Sequence, residues 1–163
     1  MKRCIIFDLD QTLVNSSIAE PFRNTRAWNK AVSLIPNFTF YQGLSEVFDY
    51  MNKNGIMVAI VSNSVSYYVD KVISYFNIPC DLRIAYHDVM HHKPNPESMM
   101  RVLNDLKLQP SEVISVGDRD ADILAAKNAR IFSVGCLWGN KSGFTSSPDA
   151  VINDPREIIE YLQ

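Results

Sequence analysis

Cys4-Ile5-Ile6-Phe7 is an apolar run that ends abruptly in Asp8-Leu9-Asp10-Gln11-Thr12. A short apolar run bounded by charge reads as a strand buried on both faces, which requires helices on both sides of a parallel sheet. The carboxylates then stand at the C-terminal end of the strand, where the loops of such a sheet open a ligand crevice. With a side-chain period of two, Asp8 and Asp10 project the same way if the extended conformation persists through them. Two carboxylates in one small volume repel unless a cation or a shared proton relieves them. A hard divalent cation with oxygen ligands, Mg²⁺ foremost, is the simplest remedy. The plainer alternative is a pair of solvated acids capping a turn.

The remaining chain repeats the strand-and-helix alternation. Asn15-Ser16-Ser17 is a helix-start signal, and Ile18 to Ile35 reads as one or two short helices ended by Pro36-Asn37. Leu44, Val47, Phe48 and Met51 follow helical spacing up to the stop pair Asn54-Gly55, and Met57–Val61 is a second strand. A helix over Val65–Phe76, a short strand over Leu82–Ala85, a loop from His87 to Pro96 and a helix over Glu97–Leu106 follow. Val113–Val116 is a strand ending in Gly117-Asp118, ahead of a helix from about Arg119 to Asn128. Strands over Ile131–Val134 and Ala150–Ile152 and a helix over Pro155–Leu162, opened by its proline, close the chain. The fold class is α/β, a doubly wound parallel, Rossmann-like sheet.

The bulk properties narrow the functional classes. With 163 residues, 47% hydrophobic and 21% charged, residues 1–163 read as one globular domain with a real core. The net charge of −2 shows no basic excess of the kind that marks a general nucleic-acid binder. Cys4, Cys80 and Cys136 are far apart and sit in or beside apolar runs, so they are expected as buried reduced thiols in a cytoplasmic protein. The apolar stretch after Met1-Lys2-Arg3 is too short for a signal-peptide core, and no window approaches a membrane span, so a soluble, unprocessed protein with no membrane partner is expected.

Polar residues gather just beyond the strands: Asp8, Asp10 and Thr12 after the first, Ser62 and Asn63 after the second, Asp118 and Asp122 after a later one, with Lys93 in the loop before Pro96. This composition suits a phosphoryl group, supplying hydroxyls and an ammonium for its oxygens, carboxylates for a divalent cation, and a carboxylate to attack phosphorus. Each residue has a plainer reading: Ser62 as a helix cap, Lys93 as a surface charge, Asp122 as a first-turn acid favoured by the helix dipole. Together, at strand exits, they favour the functional one.

Most of the chain resembles the haloacid dehalogenase-like hydrolase superfamily, especially its phosphoglycolate phosphatase-like branch. Four motifs carry the resemblance: Asp8-Leu9-Asp10-Gln11-Thr12, Ile60-Val61-Ser62-Asn63, Lys93-Pro94-Asn95-Pro96 and Gly117-Asp118-Arg119-Asp120-Ala121-Asp122. The resemblance implies a Mg²⁺-dependent phosphatase acting on a phosphate monoester through an aspartyl-phosphate. Asp8 would be the nucleophile and Asp10 the general acid and base. Asp8, the backbone carbonyl of Asp10 and Asp118 would hold Mg²⁺. Ser62, Asn63 through its amide, and Lys93 would hold phosphoryl oxygens. Thr12 would join this phosphate-binding set or orient the Asp10 loop, and Asp122 would support Lys93 or a metal-bound water.

The chain departs from that branch in its cap. Members usually insert a helical cap of several dozen residues after the first motif, and here only residues 15–40 remain for one. A comparatively open site is expected, which admits a phosphorylated macromolecule as well as a small metabolite. A phosphate-accepting signalling module without turnover is the alternative from another class, and Asp10 argues against it. Phe22, Arg23, Arg26, Trp28 and Lys30 in the short segment read as an amphipathic helix with its aromatics on the core and its charges in water; reading a leaving group is the sharper alternative. His91 and His92 are expected as loop residues, not metal ligands. Gln11 and Arg130 stand where the family commonly has glycine, and Trp138 and Phe144 are either a contact surface or a loop's own packing.

Overall fold

The computed structural model describes residues 1–140 and 142–163. Six parallel strands form the central sheet: β1 (Cys4–Phe7), β4 (Met57–Val61), β5 (Leu82–Ile84), β6 (Val113–Gly117), β7 (Phe132–Cys136) and β8 (Ala150–Ile152), in the spatial order β5-β4-β1-β6-β7-β8. The order reverses at β1, which lies between β4 and β6. Ligand crevices form at such a reversal, because the loops leaving the two neighbours diverge to opposite faces. Phe7 pairs with both Ile60 and Val116, so the three chains leave the sheet at one height.

Strand alternation divides the core. Ile5 and Phe7 face one side, with Val58, Ile60, Ile114 and Val116, and are covered by α3 (Leu44–Lys53), α4 (Ser66–Tyr75) and the C-terminal segment. Cys4 and Ile6 face the other side, with Ala59, Val61 and Val113, under α5 (Glu97–Leu106) and α6 (Asp120–Asn128). Because β1 has no solvent face, each of its Ile side chains contributes roughly 1.5–3 kcal/mol by burial. The doubly wound sheet is thus as expected. Cys4 and Cys136 are buried and Cys80 half-buried, all as free thiols.

Four helices close the same way. After α3, α4, α5 and α6 the residues Gly55, Asn77, Lys107 and Arg130 take φ between +51° and +65°, and each following amide bonds back five residues, as Ile56 to the Met51 carbonyl and Ile131 to that of Ala126. Spacing found the first of these stops from its glycine. The ends at Leu106 and Asn128 also fall where the spacing put them, although Lys107 and Arg130 are not residues that favour a left-handed φ.

Residues 16–38 leave and return at one point. β2 (Val14–Asn15) pairs antiparallel with β3 (Thr39–Phe40), a two-stranded ribbon that sequence patterning did not indicate because each strand has only two residues. Between them lie α1 (Glu20–Asn24), α2 (Trp28–Ser33) and two short 3₁₀ turns. Ala19, Ala31, Ile35 and Phe38 join the core on the α3–α4 side, so this excursion is packed onto the sheet layer. The C-terminal helix is 3₁₀ over Pro155–Tyr161, not α: Pro155 and Ile158 are buried and Tyr161 half-buried, a spacing of three that aligns in the tighter helix. Among the described residues no helix is long and apolar enough to cross a membrane.

Candidate active site

The exits of β1, β4 and β6 open into a cavity of about 560 Å³, lined by Asp8, Asp10, Ser62, Asn63, Lys93 and Asp122 together with residues of the 16–38 excursion. Lys93 is part of its lining. Its Nζ donates to Asp8 Oδ1 at 3.0 Å, Asp122 Oδ1 at 2.6 Å and the Val61 carbonyl at 2.8 Å, and its side chain is 4% exposed, which excludes a surface-charge role. Burial alone would depress the ammonium; the charges of Asp122 and Asp8 outweigh that and hold its pKa above the ordinary lysine value. Asn63 holds the lysine's backbone from both ends: its amide donates to the Lys93 carbonyl at 3.0 Å and its oxygen accepts the Lys93 N–H at 3.2 Å. Ser62 does not cap α4; its hydroxyl oxygen accepts the Ser64 N–H at 3.1 Å, and it faces the cavity.

Gly117 brings the last motif together. A Cβ there would run into the Asp122 side chain, so only glycine lets the first turn of α6 fold back against the strand end. Asp122 Oδ2 accepts the Arg119 N–H at 3.1 Å while Oδ1 takes Lys93. Oxygens of Asp8, Asp118 and Asp122 lie within 4.8 Å of one another. Burial, then the Asp8 charge, push the Asp118 carboxyl up to about 9. Lys93 does not reach Asp118, so this corner has an acidic excess that a cation would relieve, and its hard oxygens suit Mg²⁺. Asp122 is engaged at both oxygens, by Lys93 and the Arg119 N–H, and the Arg119 guanidinium stands 3.9 Å from Asp118 Oδ2.

Thr12 departs from the phosphate-binding expectation. It is fully buried, off the cavity lining, and its hydroxyl reaches Asp118 Oδ1 at 3.2 Å, because residues 9–14 curl tightly, Leu13 N–H bonding the Leu9 carbonyl at 2.9 Å. It orients the acid corner from behind. The curl places Gln11 at φ +62°, the conformation glycine supplies without strain, and its side chain instead accepts the Ser16 N–H at 2.8 Å.

Asp10 also lines the cavity, and its partners were not expected as site residues. Its Oδ1 accepts the Tyr68 hydroxyl at 2.6 Å and the Ser16 hydroxyl at 2.6 Å, with Arg23 Nη1 at 3.5 Å. Arg23 is therefore not in water: its side chain is 8% exposed and beneath the Tyr68 ring. Burial, then the Asp10 charge, raise the Tyr68 phenol above its ordinary value and keep its hydroxyl a donor. Trp28 and Phe22 pack against the core as expected, while Trp28, Asn24 and Arg26 also line the cavity. A tyrosine in the apolar stripe of α4 reads as core; only its unmatched hydroxyl hinted at a polar partner.

The surrounding loops resolve the remaining readings. His92 stacks on Tyr86 at 3.9 Å and His91 pairs with Glu97, so neither joins the acid cluster. Trp138 donates to the Thr12 carbonyl at 2.9 Å and Phe144 lies over Gly135, which makes both internal packing.

Residues 18–136 match the family model for haloacid dehalogenase-like hydrolases. The chain is 31% identical over 126 residues to pyrophosphatase PpaX of Bacillus velezensis, covering 74% of this chain and 58% of that one. It is 26% identical over 145 residues to phosphoglycolate phosphatase of Aquifex aeolicus, covering 88% and 66%. The chain therefore spans only about 58–66% of the length of these relatives. The solved structure of CbbY from Rhodobacter sphaeroides in complex with phosphate superposes with a TM-score of 0.84 at 16% identity, over 97% of this chain and 96% of that one, a likeness of fold.

Proposed function

The chain belongs to the haloacid dehalogenase-like hydrolases, and from that premise we propose that it is a Mg²⁺-dependent phosphatase hydrolysing a small phosphate monoester through an aspartyl-phosphate on Asp8. The observation that carries the reading is Asp8 held by the buried Lys93 ammonium in the lining of a cavity that Asp10 also lines. An Asp oxygen forms the bond to phosphorus as the leaving oxygen departs, and a proton on Asp10 passes to that oxygen. Water then gives its proton to Asp10 and its oxygen to phosphorus, freeing Asp8 and inorganic phosphate. Lys93 and Ser62 hold the phosphoryl oxygens, and Asn63 fixes the lysine's loop. Asp8, the Asp10 carbonyl and Asp118 would hold Mg²⁺, whose chemistry when bound is to neutralise charge on the phosphoryl group.

Residues 1–163 serve as one hydrolase core with residues 15–40 as a reduced cap. The cavity volume is that of a small-molecule site, and the names of the relatives point to small phosphorylated compounds as substrates. Asp10 in place favours turnover over a phosphate-holding signalling module. The reduced thiols suit a cytoplasmic setting. The test is release of inorganic phosphate from a panel of sugar phosphates, phosphoglycolate, pyrophosphate and phosphorylated oligomers, with Mg²⁺ or EDTA. Metal-dependent release confined to small esters supports the reading; release from the oligomers alone would move the substrate to a macromolecule, and none at all would defeat the reading.

A further inference from the structure

We propose that Ser16, Arg23 and Tyr68 form a positioning set that dedicates one oxygen of Asp10 to proton transfer; the proposal rests on the phosphatase reading above. All three contacts converge on Oδ1, from Tyr68 Oη at 2.6 Å, Ser16 Oγ at 2.6 Å and Arg23 Nη1 at 3.5 Å. Oδ2 takes no hydrogen bond among the described residues, and Asp10 lines the cavity, so Oδ2 is the oxygen presented to substrate. The guanidinium also sets the direction of both hydroxyls. Arg23 Nη1 donates to Ser16 Oγ at 3.0 Å, to Tyr68 Oη at 3.4 Å and to the Ser16 carbonyl at 2.9 Å. Each hydroxyl oxygen thus has a donor behind it and turns its own hydrogen toward Asp10.

The set spans two parts of the chain, Ser16 and Arg23 in the 16–38 excursion and Tyr68 on α4, and each side chain is at least nine-tenths buried. A buried guanidinium carries a heavy desolvation cost that exact pairing must offset. Here its pairing is spent on the carboxylate that exchanges the proton. The excursion therefore serves as a fixed brace for the acid and base, the Asp10 rotamer locked before substrate arrives.

The steps at Oδ2 separate positioning from mere support of the fold. Up to departure of the leaving group, the proton moves from Oδ2 to the leaving oxygen as that oxygen's bond to phosphorus breaks and the Asp8 bond forms. An alkoxide needs that proton, whereas p-nitrophenolate is stable without it. The experiment compares kcat/KM for benzyl phosphate and p-nitrophenyl phosphate, with Mg²⁺, in wild type, Tyr68→Phe, Ser16→Ala and Asp10→Asn. We expect Tyr68→Phe to lose about 10- to 100-fold on benzyl phosphate and less than about threefold on p-nitrophenyl phosphate, Ser16→Ala to lose less in the same ratio, and Asp10→Asn to show the largest contrast. Equal losses on both esters, or no loss on either, would overturn the positioning role while leaving the phosphatase reading intact. A wild type inactive on both esters would defeat the reading and the proposal with it. Circular dichroism and thermal melts accompany each variant, and should Tyr68→Phe not fold, the ester contrast in Ser16→Ala decides.

Discussion

The surroundings of Asp8 and of Asp10 solve opposite electrostatic problems. The Asp8 side gathers three carboxylates around one buried ammonium and keeps an acidic excess, shown in the Asp118 carboxyl pushed up to about 9. The Asp10 side sets one carboxylate oxygen against two hydroxyls and a guanidinium, and that oxygen is satisfied. The first is built from strand ends and needs a cation; the second, at Asp10 Oδ1, is paired by the excursion and α4. The difference teaches that charge excess marks where a ligand binds, and that satisfied pairing marks what is held still.

The comparison is tested most severely by removing its anchors. Asp8→Asn is expected to lower phosphate release by about four orders of magnitude or more, since the step begins on that oxygen; near-normal turnover would sink the aspartyl-phosphate. Lys93→Met should abolish turnover, and it leaves Asp8 and Asp122 unpaired in the interior. Urea unfolding should show a loss of about 3–5 kcal/mol, and an unchanged midpoint would mean that the pair is not the buried support described.

The charge excess itself makes a pH prediction. A carboxyl whose folded pKa lies above its unfolded 3.8, at about 9, binds its proton more tightly in the folded state. Metal-free stability therefore falls as pH rises through that window. Mg²⁺ should raise the melting temperature more near about pH 8 than near about pH 5, and Asp118→Asn should flatten the metal-free slope while stabilising the metal-free protein by roughly 1–3 kcal/mol. A melting temperature independent of pH in EDTA would break the contrast between the two sides.

The smallest effects lie at two of the left-handed residues. Arg130→Gly, at an exposed helix end with φ +61°, should gain about 0.5–1 kcal/mol in thermal or urea unfolding. Gln11→Gly relieves a similar φ of +62° but gives up the bond to the Ser16 N–H, so its gain should be smaller. An equal gain at both would show that Gln11 does nothing for the Asp10 side.

Legibility followed the same division. Asp8, Ser62, Lys93, Asp118 and Asp122 were readable because each stands at a fixed offset from an apolar strand or a proline, and parallel pairing brings those offsets to one height. Thr12 was readable as part of the loop but not its direction, since the curl of residues 9–14 turns it away from the cavity toward Asp118. Arg23 and Tyr68 read from sequence as solvent-facing and core, because an arginine on a short helix and a tyrosine in an apolar stripe have those destinations by default.

The sequence by itself determined the sheet, its doubly wound faces and the strand-end chemistry, since period-two and helical spacing are local codes that every residue of an element repeats. Only the tertiary structure decided that the Thr12 hydroxyl meets Asp118 and that Ser16, Arg23 and Tyr68 meet on one oxygen of Asp10. Those outcomes depend on contacts between segments distant in the chain, as Tyr68 is from Asp10, and no local pattern encodes where two such segments will touch.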